Sequence, residues 1–143
     1  MIYSSKVKTA IWFAFNFHDG QKDKGNYPYI CHPLHVAEQM DDEESTIVAI
    51  LHDVVEDTTC TLELFSYFFS QSILDAIDAI TRREDEEYFD YIHRVAENEI
   101  AKKVKIADLR HNLDESRLYK QKLPEKLKSR YEKALSILGA PNN

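Results

Sequence analysis

The chain reads as all-α, a single compact helical domain, on three observations. Helix-forming stretches follow one another from end to end, while the alternation that marks a strand is absent. Helix-starting residues stand at several of the resulting boundaries. With 43% hydrophobic content, 143 residues supply one well-packed core and are too few for two.

The expected helices cover about 3–18, 33–41, 43–55, 61–69, 71–81, 86–97, 99–113 and 124–138. In the first, Lys6 and Lys8 precede the apolar run Ala10 to Phe17, which superficially resembles a short signal peptide. Asn16, His18 and the missing small-residue cleavage site argue for an amphipathic helix instead. Gly20-Gln21 ends it, so the doublet His18-Asp19 belongs to a helix C-terminus. Pro33 fits the first position of the second helix and leaves His32 at the N-cap, facing out of a loop. The acidic runs DDEE at 41–44 and EDEE at 84–87 fall where helices begin, favourably for the dipole. Thr61 and Ser70 are placed as N-caps, and Pro124 starts the last helix. The basic run from Lys120 to Lys133 reads as a solvated helix face, and Ala140 to Asn143 as a loose tail.

One segment departs from ordinary helix chemistry. The apolar run Ile47 to Leu51 reads as buried, yet it ends on His52-Asp53 and is followed one turn later by Glu56-Asp57. An imidazole and carboxylates at the end of a buried helix need compensation from a cation, a partner or water. On one continuous helix, His52 with Glu56 and Asp53 with Asp57 would form two adjacent stacks. Imidazole plus carboxylate suits a borderline first-row divalent metal, but two ligands do not hold one. His32 and Asp108 are the candidates for the rest; Asp108 shares a helical stripe with Val104, His111 and Asn112.

Taken in order, His32, His52-Asp53 and Asp108 resemble the H…HD…D signature of the HD-domain metal-dependent phosphohydrolases. The blocks GQKDKGNYPYICHPLHVAEQM, IVAILHDVVEDTTCTLELF and VKIADLRHNLDESR look like the hydrolase domain of RelA/SpoT proteins, especially its small stand-alone form, over roughly residues 10–118. The resemblance implies a compact HD-domain fold in which His32, His52, Asp53 and Asp108 ligate one divalent metal, usually manganese, and Glu56 and Asp57 form the catalytic acidic pair. Such a metal activates water and polarises phosphorus, while Glu56 orients or deprotonates that water with Asp57 in support. Lys24 matches a basic position beside the nucleotide, and Asn112 a pocket residue. Arg82 and Arg83, in the segment ITRRE, are typical of the small members and suit bidentate phosphate binding. The family pattern does not use His35, His93 or His111, which are expected in structural or exposed roles.

The chain also departs from the pattern. Asp23 stands where many bifunctional members have an arginine that stacks on guanine, and Asp114 where they have a basic residue after the HN pair. The segment from Thr81 to Asp108 is shorter than in the long enzymes. These changes leave phosphoester chemistry intact and weaken the expectation of guanine selectivity.

Composition removes other classes. A net charge of −7 argues against a nucleic-acid or anionic-membrane partner, which would need a basic face. No stretch approaches the ~20 apolar residues of a membrane span. Three glycines leave no phosphate-cradling loop, and no synthetase domain is expected within these 143 residues. Cys31 and Cys60 lack CxxC spacing and are expected as reduced thiols in a cytoplasmic protein. The partner expected is therefore a small phosphorylated nucleotide, foremost guanosine 3′,5′-bis(diphosphate) cleaved at the 3′ pyrophosphate. The alternatives are another nucleotide, or a nucleotide-binding module without turnover. The oligomeric state is left open.

Overall fold

The computed structural model describes residues 1–141, and among these the regular structure is helical. In chain order the helices are α1 Ser5–Phe17, α2 Cys31–Glu38, α3 Glu43–Leu51, α4 Val54–Asp57, α5 Leu62–Phe65, α6 Gln71–Ile80, α7 Tyr88–Ala96, α8 Glu99–Asn112 and α9 Glu125–Ile137, with a 3-10 turn at Glu115–Leu118. Among the described residues the one β feature is an isolated bridge between Lys22 and Pro28. No described helix is long and apolar enough to cross a membrane.

The centre of the molecule is α3. Asp42 caps it by accepting from the Ser45 amide at 2.8 Å, and every residue from Ser45 to Leu51 is buried. A helix apolar on all sides must be surrounded, and α1, α2, α6 and α8 pack against it. Buried apolar residues from all nine helices join one cluster around it. Full burial of side chains such as Ile47, Ile50 and Leu51 is worth roughly 1.5–3 kcal/mol each.

Side-chain caps fix several further starts. Ser4 caps α1 through Val7, Asn98 caps α8 through Ala101, and Glu87 caps α7 by accepting from the Phe89 and Asp90 amides. Thr61 and Ser70 do occupy N-cap positions, but neither side chain makes the capping bond. The helix expected over 61–69 shortens to Leu62–Phe65, with turns closing the segment through Phe69.

Two expectations fail in ways that matter for chemistry. The helix expected over 43–55 stops at Leu51, His52 and Asp53 form a turn, and α4 begins at Val54. The four residues therefore do not sit on one continuous helix, although the Asp57 amide still bonds the Asp53 carbonyl at 2.9 Å. His32 is not an outward-facing N-cap residue. It is the second residue of α2, inside the first turn and buried, with Pro33 third rather than first. The helix tolerates Pro33 there because first-turn amides have no intrahelical acceptor to lose.

Candidate active site

The break after α3 aims both members of the His52-Asp53 doublet at one point. The His52 ring folds back so that Nδ1 lies 2.6 Å from the Ala49 carbonyl oxygen, three residues earlier. A carbonyl only accepts, so Nδ1 carries the proton and Nε2 is left to face the site. That Nε2 lies 3.0 Å from Asp53 Oδ2 and 3.3 Å from Asp108 Oδ1. From α2, His32 Nε2 reaches 2.8 Å from Asp108 Oδ1 and 3.7 Å from Asp53 Oδ2. One ligand atom from each of His32, His52, Asp53 and Asp108 thus lies within 4.8 Å of the other three. The donor set of two imidazole nitrogens and two carboxylate oxygens fits a borderline divalent cation.

Neighbouring groups fix these four side chains. Asp108 Oδ2 accepts from Lys105 Nζ at 2.7 Å, which directs Oδ1 at the cluster. Tyr29 donates its hydroxyl to Asp53 Oδ2 at 2.5 Å, and Asn112 Nδ2 reaches Asp108 Oδ1 at 3.3 Å. His32 Nδ1 lies 2.7 Å from His111 Nδ1, and the His111 ring stacks in turn on His35 at 4.0 Å. Burial and the nearby Arg117 charge push His111 down to about 4, so near neutrality it is uncharged and its Nδ1 can accept. The His32 Nδ1 proton then points at His111, and both cluster imidazoles present Nε2. Second-layer contacts of this kind set ring orientation and ligand basicity.

The charge balance says the same. Burial alone would neutralise Asp108, yet the Lys105 ammonium and the His32 and His52 hydrogen bonds hold it well below the carboxylate range. Burial would likewise raise Asp53, but the His52 charge holds it low. Burial opposes charge on His52, and Asp53 together with Asp108 outweighs it, raising the imidazole well above its usual value. The buried Asp108 and the half-buried Asp53 are therefore kept ionised, with cationic company from protonated imidazole and one lysine. A divalent ion satisfies the same demand.

Glu56 and Asp57 occupy α4, at the rim of this cluster. Glu56 Oε1 accepts from the Arg82 amide at 3.0 Å. Partial desolvation and the Asp53 charge raise Glu56, and the same causes with Glu56 itself raise Asp57 to about 6. Both acids thus exchange protons closer to neutrality than free carboxylates do.

A cavity of about 280 Å³ opens beside the cluster, and His32, Tyr29, Asn112, Lys22 and Lys24 are among its lining residues. Leu118, Leu123 and Tyr131 add apolar surface to the lining. The two acids that depart from the family pattern are both engaged. Asp23 Oδ1 accepts from the Gly25 and Tyr27 amides, and Oδ2 pairs with Arg117 Nη2 at 3.3 Å. Asp114 accepts from the amide and hydroxyl of Ser116. Gly25 is required here, because a Cβ at this position would overlap the Arg117 carbonyl oxygen. Arg82 and Arg83 do not line the cavity. Arg82 donates Nε to the Glu86 carbonyl and lies over Tyr88, while Arg83 pairs with Asp78 at 3.0 Å.

The other histidines separate clearly. His18 is the C-cap of α1, its Nδ1 2.7 Å from Gln21 Oε1 and its ring packed on Tyr29. His93 is exposed on α7. His35 is exposed and reaches the site only by stacking on His111. Tyr29, Lys105, His111 and Arg117 are site residues that sequence reasoning did not assign. For Lys105 and His111 the signal was their spacing of three residues on either side of Asp108.

A helical fold with a buried His/Asp cluster at a broken helix is what the HD domain provides, and the HD-domain profile matches residues 10–116. The chain belongs to the HD-domain family. Among curated relatives, it is 33% identical over 119 residues to a probable guanosine-3′,5′-bis(diphosphate) 3′-pyrophosphohydrolase of Synechocystis, covering 73% of this chain and 16% of that protein. It is 30% identical over 125 residues to a GTP pyrophosphokinase of Myxococcus xanthus, covering 75% and 16%. The chain thus spans about one sixth of the length of these relatives. A solved structure of a metazoan SpoT orthologue that hydrolyses ppGpp superposes with a TM-score of 0.81 at 23% identity, over 100% of this chain and 91% of that one, which establishes the fold.

Proposed function

We propose that this protein is a manganese-dependent phosphohydrolase that removes pyrophosphate from the ribose 3′ position of guanosine tetraphosphate or pentaphosphate. The observation that carries the reading is the convergence of His32, His52, Asp53 and Asp108 within 4.8 Å, with an acidic pair on the next turn. His32 and His52 would hold the ion through Nε2, and Asp53 and Asp108 through one carboxylate oxygen each. When bound, it supplies Lewis-acid polarisation of the phosphoryl group and lowers the pKa of water.

The protein's own groups do the rest. Glu56, held by the Arg82 amide, takes a proton from the water that attacks the phosphorus on the 3′ oxygen. That bond to phosphorus forms as the bond to the ribose oxygen breaks, and the departing oxygen takes up the proton that Glu56 received, giving a 3′ hydroxyl and free pyrophosphate. Asp57 supports Glu56 as a neighbouring acid. Lys24, with Lys22, attracts the phosphate chain along the cavity wall, and Asn112 joins the cavity to the ligand Asp108. Arg117, pinned by Asp23, offers a flat cationic face beside the base.

Another phosphorylated nucleotide is the second reading. Leu118, Leu123 and Tyr131 stack on any base rather than reading its edge. A pyrophosphate- and phosphate-release screen across guanine and adenine nucleotides with manganese separates the two. Release from the guanosine 3′-pyrophosphates above all others supports the first reading; release from a different nucleotide replaces it, and no release from any leaves a binding module.

A further inference from the structure

The outward face of α1 carries a pattern that the active site does not use. Spacings of four, three and four residues put Lys8, Trp12, Phe15 and Asp19 in one stripe. All four are exposed, with Asp19 in the turn just past the helix. Trp12 and Phe15 each stand 61% open to solvent. Alongside runs an apolar groove of about 760 Å³ between α1 and α5, lined by Trp12, Phe13, Phe17, Leu64 and Phe68. Phe13 joins stripe to groove, packing edge-on against Trp12 at 5.3 Å and Phe68 at 5.0 Å. No residue of this surface belongs to the ligand cluster or the nucleotide cavity.

Charge and symmetry identify the occupant. A two-fold axis crossing α1 between Phe13 and Ala14 lays two copies of the helix antiparallel. In that register Trp12 meets Phe15 of the partner subunit, and Lys8 meets Asp19 of the partner subunit. One register satisfies both pairs, which is the self-complementarity an isologous interface demands. Antiparallel packing also opposes the two helix dipoles. Trp12, Phe15 and Phe68, the last 47% exposed, present roughly 300–400 Å² of aromatic surface, near half of the ~800 Å² per partner in a standard interface. Lys8, Thr9, Asn16 and the groove walls add to it.

We propose that the protein is a symmetric dimer built on antiparallel α1 helices, with Trp12 of each copy seated on the aromatic surface of the other. Sedimentation velocity of the full chain at micromolar concentration should show twice the 16.7 kDa chain mass. Trp12→Glu should raise the dimer dissociation constant by ~10²-fold or more, as loss of an aromatic anchor does. Asp19→Lys should raise it about fivefold by setting lysine against Lys8, within the range of exposed charge pairs. Adding Lys8→Asp to Asp19→Lys should restore association, which only the antiparallel register predicts. A monomeric unmodified protein, a dimer indifferent to Trp12→Glu, or a charge swap that fails to restore association would each overturn the proposal. Metal content, set by residues outside this surface, should be equal in every variant.

Discussion

Glu56 is where the proposed chemistry is most exposed to test at the residue scale. It accepts from the Arg82 amide and stands beside the ligand cluster without belonging to it. Glu56→Gln should therefore keep fold and metal while turnover falls by ~10² or more, the usual loss of an acid–base contribution. Steady-state rates beside metal analysis check this, and near-unchanged turnover would make Glu56 a bystander. His111 makes a different demand. If it accepts the His32 Nδ1 proton, His111→Ala should weaken metal binding by roughly tenfold, and His111→Asn, which keeps an acceptor, should recover part of it. Equal metal affinity in the alanine variant, by competition with a chelating dye, would contradict that role. The candidate cluster was legible in the sequence because His52 and Asp53 at the end of an apolar run have few innocent explanations, and the motif order added His32 and Asp108. Tyr29 was not legible, since its contact with Asp53 depends on a loop closed by the Lys22–Pro28 bridge and the Asp23 turn.

At the scale of elements, the sequence located most helices by runs of helix-forming residues, with capping chemistry acting at some of the starts. Asp42, Glu87 and Asn98 each satisfy amides that the first turn leaves free. The interruption of α3 was hidden because nothing in LHDVV breaks a helix by propensity. It goes with two contacts of one side chain, a local one from His52 to the Ala49 carbonyl and a tertiary one to Asp108 of α8. The join between α6 and α7 shows a second such demand. Arg94 donates to both oxygens of Glu86 and to the carbonyls of Ala79 and Thr81. The Arg94 hydrogen bonds hold Glu86 at about 2, below its ordinary 4.5. A depressed folded-state value means the unfolded chain binds the proton more readily, so this stability is present above pH ~4.5 and is lost as pH falls toward 2. Arg94→Ala should cost about 1–2 kcal/mol at neutral pH, and that difference should shrink over the same acid window. Urea denaturation at several pH values measures it, and a pH-independent difference would assign the loss to packing alone.

For the whole molecule, α3 organises both stability and site. The helix that fills the core ends on His52, and its neighbours α2 and α8 deliver His32 and Asp108 to the same point. Fold and candidate cluster are thus one arrangement, and the order of motif blocks could be read from sequence because the first and third blocks carry α2 and α8, which pack on the α3 of the second. The pocket's charge pattern could not. Asp23 looked like an acid facing the substrate, and in the structure its two oxygens are taken by the Gly25 and Tyr27 amides and by Arg117, which is distant in sequence. The central claim is that four side chains hold one catalytic divalent ion. Elemental analysis of the dialysed protein tests it most directly, comparing the unmodified chain with Asp108→Ala. The account predicts one manganese-class ion per chain in the former and loss of most of it in the latter; equal metal content in the two proteins would contradict it.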